Sequence, residues 1–229
     1  MASIELGDFG AALAALSALS TAAFGLLDSS KAFWGGVSNV GLPHIRKALD
    51  PFAATLGAGV GAERWWALVR ANWLNGVAKA EQKAVVRSIL KLGLTQATAD
   101  ELAQGCNVDA ARLKTVAGKL AKGDELSDAD LNLLGRVNAV LDAILDCAFE
   151  RAEQQYRNVS RLLAGLLAVA LAVVAQLIWA ANAATMGAPP SLAVAVGVGL
   201  LAVPVAPVAK DVTSALSTAM RALKATRAV

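Results

Sequence analysis

The residue types that carry most enzyme and metal chemistry are scarce in this chain, and their spacing does not suit that chemistry. Its 229 residues include one histidine, His44, so a histidine-based metal site cannot form. The two cysteines, Cys106 and Cys147, make no CxxC pair and are expected as free thiols in a reducing compartment. Gly57, Gly59 and Gly61 faintly resemble a nucleotide loop. However, no strand pattern precedes them, the spacing departs from the dinucleotide fingerprint, and no Lys-Ser or Lys-Thr follows. Any chemistry would have to rest on scattered carboxylates. No catalytic residue, cofactor or metal site is expected.

Charge and tryptophan, by contrast, are regularly spaced. Lys79, Lys83, Arg87 and Lys91 recur every fourth residue. On a helix they form a basic stripe with Val85, Val86, Ile89 and Leu90 on the other side. Such a stripe is either a solvated face or a contact for anionic lipid head groups or an acidic partner. Trp65, Trp66 and Trp73 fall on one side of a helix over 63–75. Together with Trp34 they are expected at a membrane interface, where an apolar ring with a polar N–H is favoured; a core aromatic cluster is the competing reading. Asp28 and Lys31, three apart, share a helix face and suit an ion pair at a membrane boundary. The net charge is only +3, which argues against a general polyanion binder.

The elements that must hold these residues follow from the hydrophobic pattern. Residues 162–209 contain no Asp, Glu, Lys or Arg. An apolar helix needs about 20 residues to cross a bilayer, so this run is long enough for two crossings. It breaks around Gly187, Pro189 and Pro190, where a reversal is expected. A further uncharged run over 9–27 suits a third span, with Gly10, Ala14, Ala18 and Ala22 as a small-residue stripe for close helix packing. Gln176 and Asn182 are polar positions within the hairpin.

The expected architecture is all-α, with about three transmembrane helices. It comprises an N-terminal transmembrane helix (1–31) and an interfacial or re-entrant segment with the Trp-rich helix (32–78). A small cytoplasmic helical subdomain (79–126) follows, then a stalk helix (127–161) continuing into the membrane. A transmembrane hairpin (162–209) and an amphipathic tail (210–229) complete it. Arg157, Arg161 and Lys210 flank the hairpin, and its loop is uncharged. The positive-inside rule then places the bulk of the chain in the cytoplasm and the N-terminus outside, in a bacterial inner membrane.

Two local patterns refine the cytoplasmic part. Ala103, Val108, Leu113 and Val116 stand where helix-turn-helix proteins place apolar packing residues. Asn107 stands where that family usually has glycine, and the stretch over 99–116 resembles that motif. The resemblance implies a second helix reading DNA with Arg112, Lys114 and Lys119. Asp109 at its start would repel phosphate, so nucleic acid is not expected as a partner. Ser127 and Asp130 form a capping box that opens the stalk. Leu134, Val137, Leu141 and Ile144 give the stalk an apolar stripe that must be covered. Self-association is the expected cover, with residues 79–122 of the same chain as the competing one. The functional expectation is a non-enzymatic membrane scaffold or accessory subunit, whose partners are the lipid bilayer and either a second copy or another membrane protein. The alternatives are a pore or transport component using Gln176 and Asn182, and a membrane-tethered helix-turn-helix regulator.

Overall fold

The structure, a computed structural model, describes residues 6–33 and 35–205, with only the backbone of 6–11. Trp34 and the tail 210–229 lie outside the described residues. All described secondary structure is helical. The chain forms two compact units: Ser38–Arg157, and Met1–Val37 together with Asn158–Val229.

The unit Ser38–Arg157 is built from α2 (Leu42–Leu49), α3 (Ala53–Val60), α4 (Arg64–Leu74), α5 (Lys79–Gly93), α6 (Ala99–Cys106), α7 (Ala110–Lys122) and the first part of α8 (Asp128–Ala181). Its core collects Ile45, Leu49, Phe52, Leu56, Leu90, Leu113, Leu145 and Phe149, each at most 1% exposed. Burying one such side chain contributes about 1.5–3 kcal/mol.

Three expectations change here. The short apolar segment expected to enter a membrane interface is instead α3, with Thr55 and Leu56 fully buried in this core. Glycine lets α3 and α5 pack closely: a Cβ on Gly93 of α5 would overlap the Thr55 carbonyl oxygen, and one on Gly59 of α3 would overlap that of Ile89. The stalk does not stand alone in water. Its stripe lies against the same core, with Val137 and Leu141 buried and Leu134 and Ile144 packed at its edge. The stripe expected to drive self-association is therefore already covered within one chain.

Helix starts and stops follow local chemistry. The Ser127–Asp130 capping box forms in both directions. The Asp130 N–H donates to Ser127 Oγ at 3.3 Å, and the Ser127 N–H donates to Asp130 Oδ2 at 3.0 Å. Asn107 ends α6 in the left-handed region at φ 51°, which asparagine tolerates better than most residues. Asp109 caps α7 by accepting the Arg112 N–H. Glu101 does not cap its own helix; its carboxylate accepts the Ala54 N–H at the start of α3.

The other unit contains α1 (Leu6–Ser29), the rest of α8, the short α9 (Ala183–Met186) and α10 (Leu192–Val205). Helix α8 is unbroken for 54 residues, about 81 Å at 1.5 Å per residue. No Pro interrupts it, and α8 reaches Ala181 before the chain turns. Two described helices, Ala12–Ala32 and Asp128–Ala181, are long and apolar enough to cross a membrane, and α10 is a shorter apolar helix.

On α8 and α10 of this unit burial is inverted relative to the first, while α1 also buries Leu13 and Leu27. Small residues are inside: Ala164, Ala168 and Ala172 on α8, Ala195 and Ala202 on α10, and Ala23 on α1. Large apolar residues are outside, including Leu162, Leu166, Leu177 and Ile178 on α8 and Leu200 and Leu201 on α10. Close approach explains the pattern, since a Cβ on Gly199 of α10 would overlap the Val169 backbone of α8.

The glycine contacts are directly testable. Gly93→Ala is expected to cost about 3 kcal/mol, because α3 must move away from α5. Gly135→Ala, at a helical position with nothing within 4 Å, should stabilise by about 0.5–1 kcal/mol. Denaturant titration followed by tryptophan fluorescence checks both. Equal effects would contradict the packing account.

Candidate functional site

The basic stripe of α5 meets an acidic stripe of α8 with the same spacing. Lys79 pairs with Glu150, Lys83 with Asp146 at 2.5 Å, and Arg87 with Asp142 at 2.8 Å. The basic positions rise by four while the acidic ones fall by four, so the two helices run antiparallel and form a three-rung ladder. The matching four-residue period of Asp142, Asp146 and Glu150 is the signal in the sequence for these partners. Lys79, Lys83 and Arg87, expected on a solvated face or against anionic head groups or an acidic partner, thus meet carboxylates of the same chain.

The rungs are partly exposed; side-chain exposure ranges from 19% at Lys83 to 60% at Glu150. Pairs of this kind each contribute about 0.2–1 kcal/mol. The apolar contacts of Val86, Ile89, Leu90, Leu141 and Leu145 carry most of the packing, and the ladder adds register. The hydrogen bond from Lys79 lowers the Glu150 carboxyl below its ordinary value, and that from Lys83 does the same for Asp146. The Glu150 hydrogen bond in turn raises Lys79. Elsewhere Lys119 donates to Asp130 at 2.6 Å, and with the Ser127 hydrogen bonds it holds Asp130 down to about 2.

Continuing both spacings by one step brings Lys91 on α5 and Asn138 on α8. There the acid is missing. Among the described residues no carboxylate pairs with Lys91 or with Lys122. Lys91, Lys122 and Asn138 line a cleft of about 820 Å³ whose walls include Leu92, Leu94, Leu120 and Leu134. A second cleft of about 810 Å³ lies between α2 and α8, with an alanine-rich floor and the cations Lys47, Arg136 and Arg151. Cys147 lies in that second cleft and is exposed, whereas Cys106 is buried. Burial pushes the Cys106 thiol up to about 11, so Cys147 is the reactive thiol of the two. His44 also lines the second cleft.

The tryptophans do not form an interface belt. Trp65 is 5% exposed and packs edge-on to Trp66, with ring centroids 5.7 Å apart. Arg46 sits over the Trp66 ring at 5.2 Å. Trp73 donates its indole N–H to the Ser38 carbonyl at 2.8 Å and tilts against Phe149. Their shared face turns into the protein core, where the N–H of Trp73 is satisfied without water.

Asp28 and Lys31 do pair, at 2.8 Å. Gln176 and Asn182 serve the hairpin turn. The Gln176 amide donates to the Pro190 carbonyl at 3.3 Å, and the Asn182 amide donates to the Ile178 carbonyl at 2.8 Å. Lys114 and Lys119 of the helix-turn-helix-like stretch pair with Asp100 and Asp130. Comparison with protein families, with curated proteins and with solved structures finds no match to this chain.

Charge reversal probes the ladder. Arg87→Asp and Asp142→Arg should each destabilise by about 1 kcal/mol, and the double variant should recover part of the loss. A double variant no more stable than the sum of the singles would exclude the rung. The pH dependence has a fixed sign. Lowered carboxyls stabilise the fold above their unfolded values and lose that contribution as pH falls through the range below about 4. Raised Lys79 stabilises it below its unfolded value and loses that contribution as pH climbs past about 10.5. Thermal melting across pH should therefore show a plateau around neutrality. Lys79→Met should reduce the loss at both ends.

Proposed function

We propose that the chain is a non-enzymatic integral membrane protein. In this reading the unit containing α1, the end of α8 and α10 anchors in the bilayer, and Ser38–Arg157 is a water-exposed adaptor domain that binds a partner. The observation that carries this reading is the inverted burial on α8 and α10 of the anchoring unit. Water drives large apolar side chains inward, so a row of exposed Leu and Ile over buried Ala is costly in water and favourable in lipid. The uncharged hairpin agrees. So do Arg157, Arg161 and Lys210 around it, which by the positive-inside rule favour a cytoplasmic adaptor domain with the hairpin loop outside.

Self-association belongs to this proposal, but through α1 rather than the stalk. Ala14, Ala18 and Ala22 are exposed, and Gly25 has nothing within 4 Å of an added Cβ. That stripe suits a second helix at close range. Ala18→Leu should lower the mass of the complex in mild detergent, and an unchanged mass would remove this part.

Topology is tested with a membrane-impermeant maleimide on intact cells. Gly187→Cys, in the hairpin loop, should label from outside. The native Cys147 of the adaptor domain should label only after permeabilisation. External labelling of Cys147, with Gly187→Cys protected, would reverse the orientation. Loss of the protein from membranes on carbonate washing would end the anchoring proposal.

A further inference from the structure

We infer that the cleft at the open end of the ladder binds a single-chain amphipathic anion: one alkyl or acyl chain ended by a carboxylate or phosphate. The inference stands on the unit Ser38–Arg157 alone and does not depend on how the chain is anchored. Two features meet in the cleft. The walls are leucines, and two of them are open to solvent, Leu92 at 69% and Leu120 at 46% exposure. Leaving such residues exposed is costly, and an apolar chain would cover them. The rim is cationic in a specific way. Each earlier basic residue of the stripe has its acid, whereas Lys91 and Asn138, one step further along each stripe, line a cleft that has no acid in its lining. An asparagine amide cannot neutralise an ammonium, but it can donate N–H to the same anion that the ammonium holds. Lys122 adds a second cation at the same rim.

Other occupants fit less well. The tail over 210–229 carries Lys210, Arg221, Lys224 and Arg227 against one acid, Asp211, so the lysines at the rim repel it. Nucleic acid would need aromatic side chains for stacking, and no aromatic residue lines the cleft. Lys91 and Lys122 lie in the last turns of α5 and α7, where the helix ends carry partial negative charge. The anion must therefore sit on the ammonium groups and not on the helix ends. The volume of about 820 Å³ lies within the usual range for a small-molecule site.

The test uses the full chain in phosphatidylcholine bilayers with three photoreactive diazirine probes of equal chain length, ended by carboxylate, phosphate or hydroxyl. Peptide mapping locates the label. The anionic probes should label the segments of Leu92, Leu120 and Leu134 about tenfold more than the alcohol, the size of one charge-assisted contact. The stronger of the two anions identifies the head group. Asn138→Asp supplies the missing acid, so it should remove the anion preference while leaving labelling by the alcohol unchanged. Lys91→Gln should do the same, with the melting temperature reporting that each variant is folded. Labelling of α1, α8 beyond Arg157 and α10 is the internal control, and its loss would count against membrane anchoring rather than against this site. Equal cleft labelling by all three probes, no cleft labelling, or an anion preference that survives Asn138→Asp would overturn the inference.

Discussion

Close approach of helix backbones is the constraint on which both units depend. In Ser38–Arg157 it brings α3 and α5 together through Gly59 and Gly93, where any side chain would collide with a backbone carbonyl. In the other unit it brings α10 onto α8 at Gly199 and Val169, beside Ala164, Ala168 and Ala172. The alanine and glycine content of the chain is therefore a packing requirement rather than a composition accident. What differs between the units is what fills the space left over. In the first, large residues such as Phe52, Leu56 and Phe149 complete a core. In the second, large residues point away from the contact.

Helix α8 carries both rules on one continuous backbone. Through residue 157 its core face holds Val137, Leu141, Leu145 and Phe149, and its acidic stripe faces α5. Beyond Ser160, the buried positions are Ala164, Ala168 and Ala172, and large apolar residues such as Leu162, Leu166, Leu177 and Ile178 are exposed. A helix satisfies its own backbone hydrogen bonds, so it can pass from one kind of surroundings to another without a break. Only the side-chain pattern has to change, and it changes in the stretch that holds Arg157 and Arg161. The ladder then fixes how α5 lies against α8, and the cleft forms where the ladder runs out of acids.

Much of this architecture was legible in the sequence, for identifiable reasons. The Ser127–Asp130 box marked the start of α8, the absence of proline allowed it to run on into the hairpin without deciding between one helix and two with a bend near Ser160, and Pro189 and Pro190 marked the turn after it. Asn107 was readable as a left-handed residue because few side chains tolerate that conformation. Other features depend on contacts between residues far apart in the chain. The stripe Lys79, Lys83, Arg87 looks the same whether it faces water, lipid head groups or acids, and its acids lie 55 to 71 positions away. Trp65 and Trp73 share a helix face in either setting, and only the fold shows that Phe149 and Ser38 receive Trp73. The contact of Glu101 with the start of α3 has no local signal, because its partner Ala54 is 47 positions away. The two clefts had no sequence signature, because each gathers residues from several helices.

The central claim is that one helix, α8, serves two surroundings. Spin labels placed singly at exposed positions along it test this most directly. Arg136, Cys147 and Arg151 sample the first part, and Leu162, Leu166, Leu177 and Ile178 the second. In reconstituted bilayers the account predicts that a water-soluble nickel relaxant broadens the first group. It also predicts that oxygen, which concentrates in lipid, broadens the second, with the crossover near residues 157–161. Strong nickel accessibility throughout the second group would show that those leucines face water, and it would contradict the account.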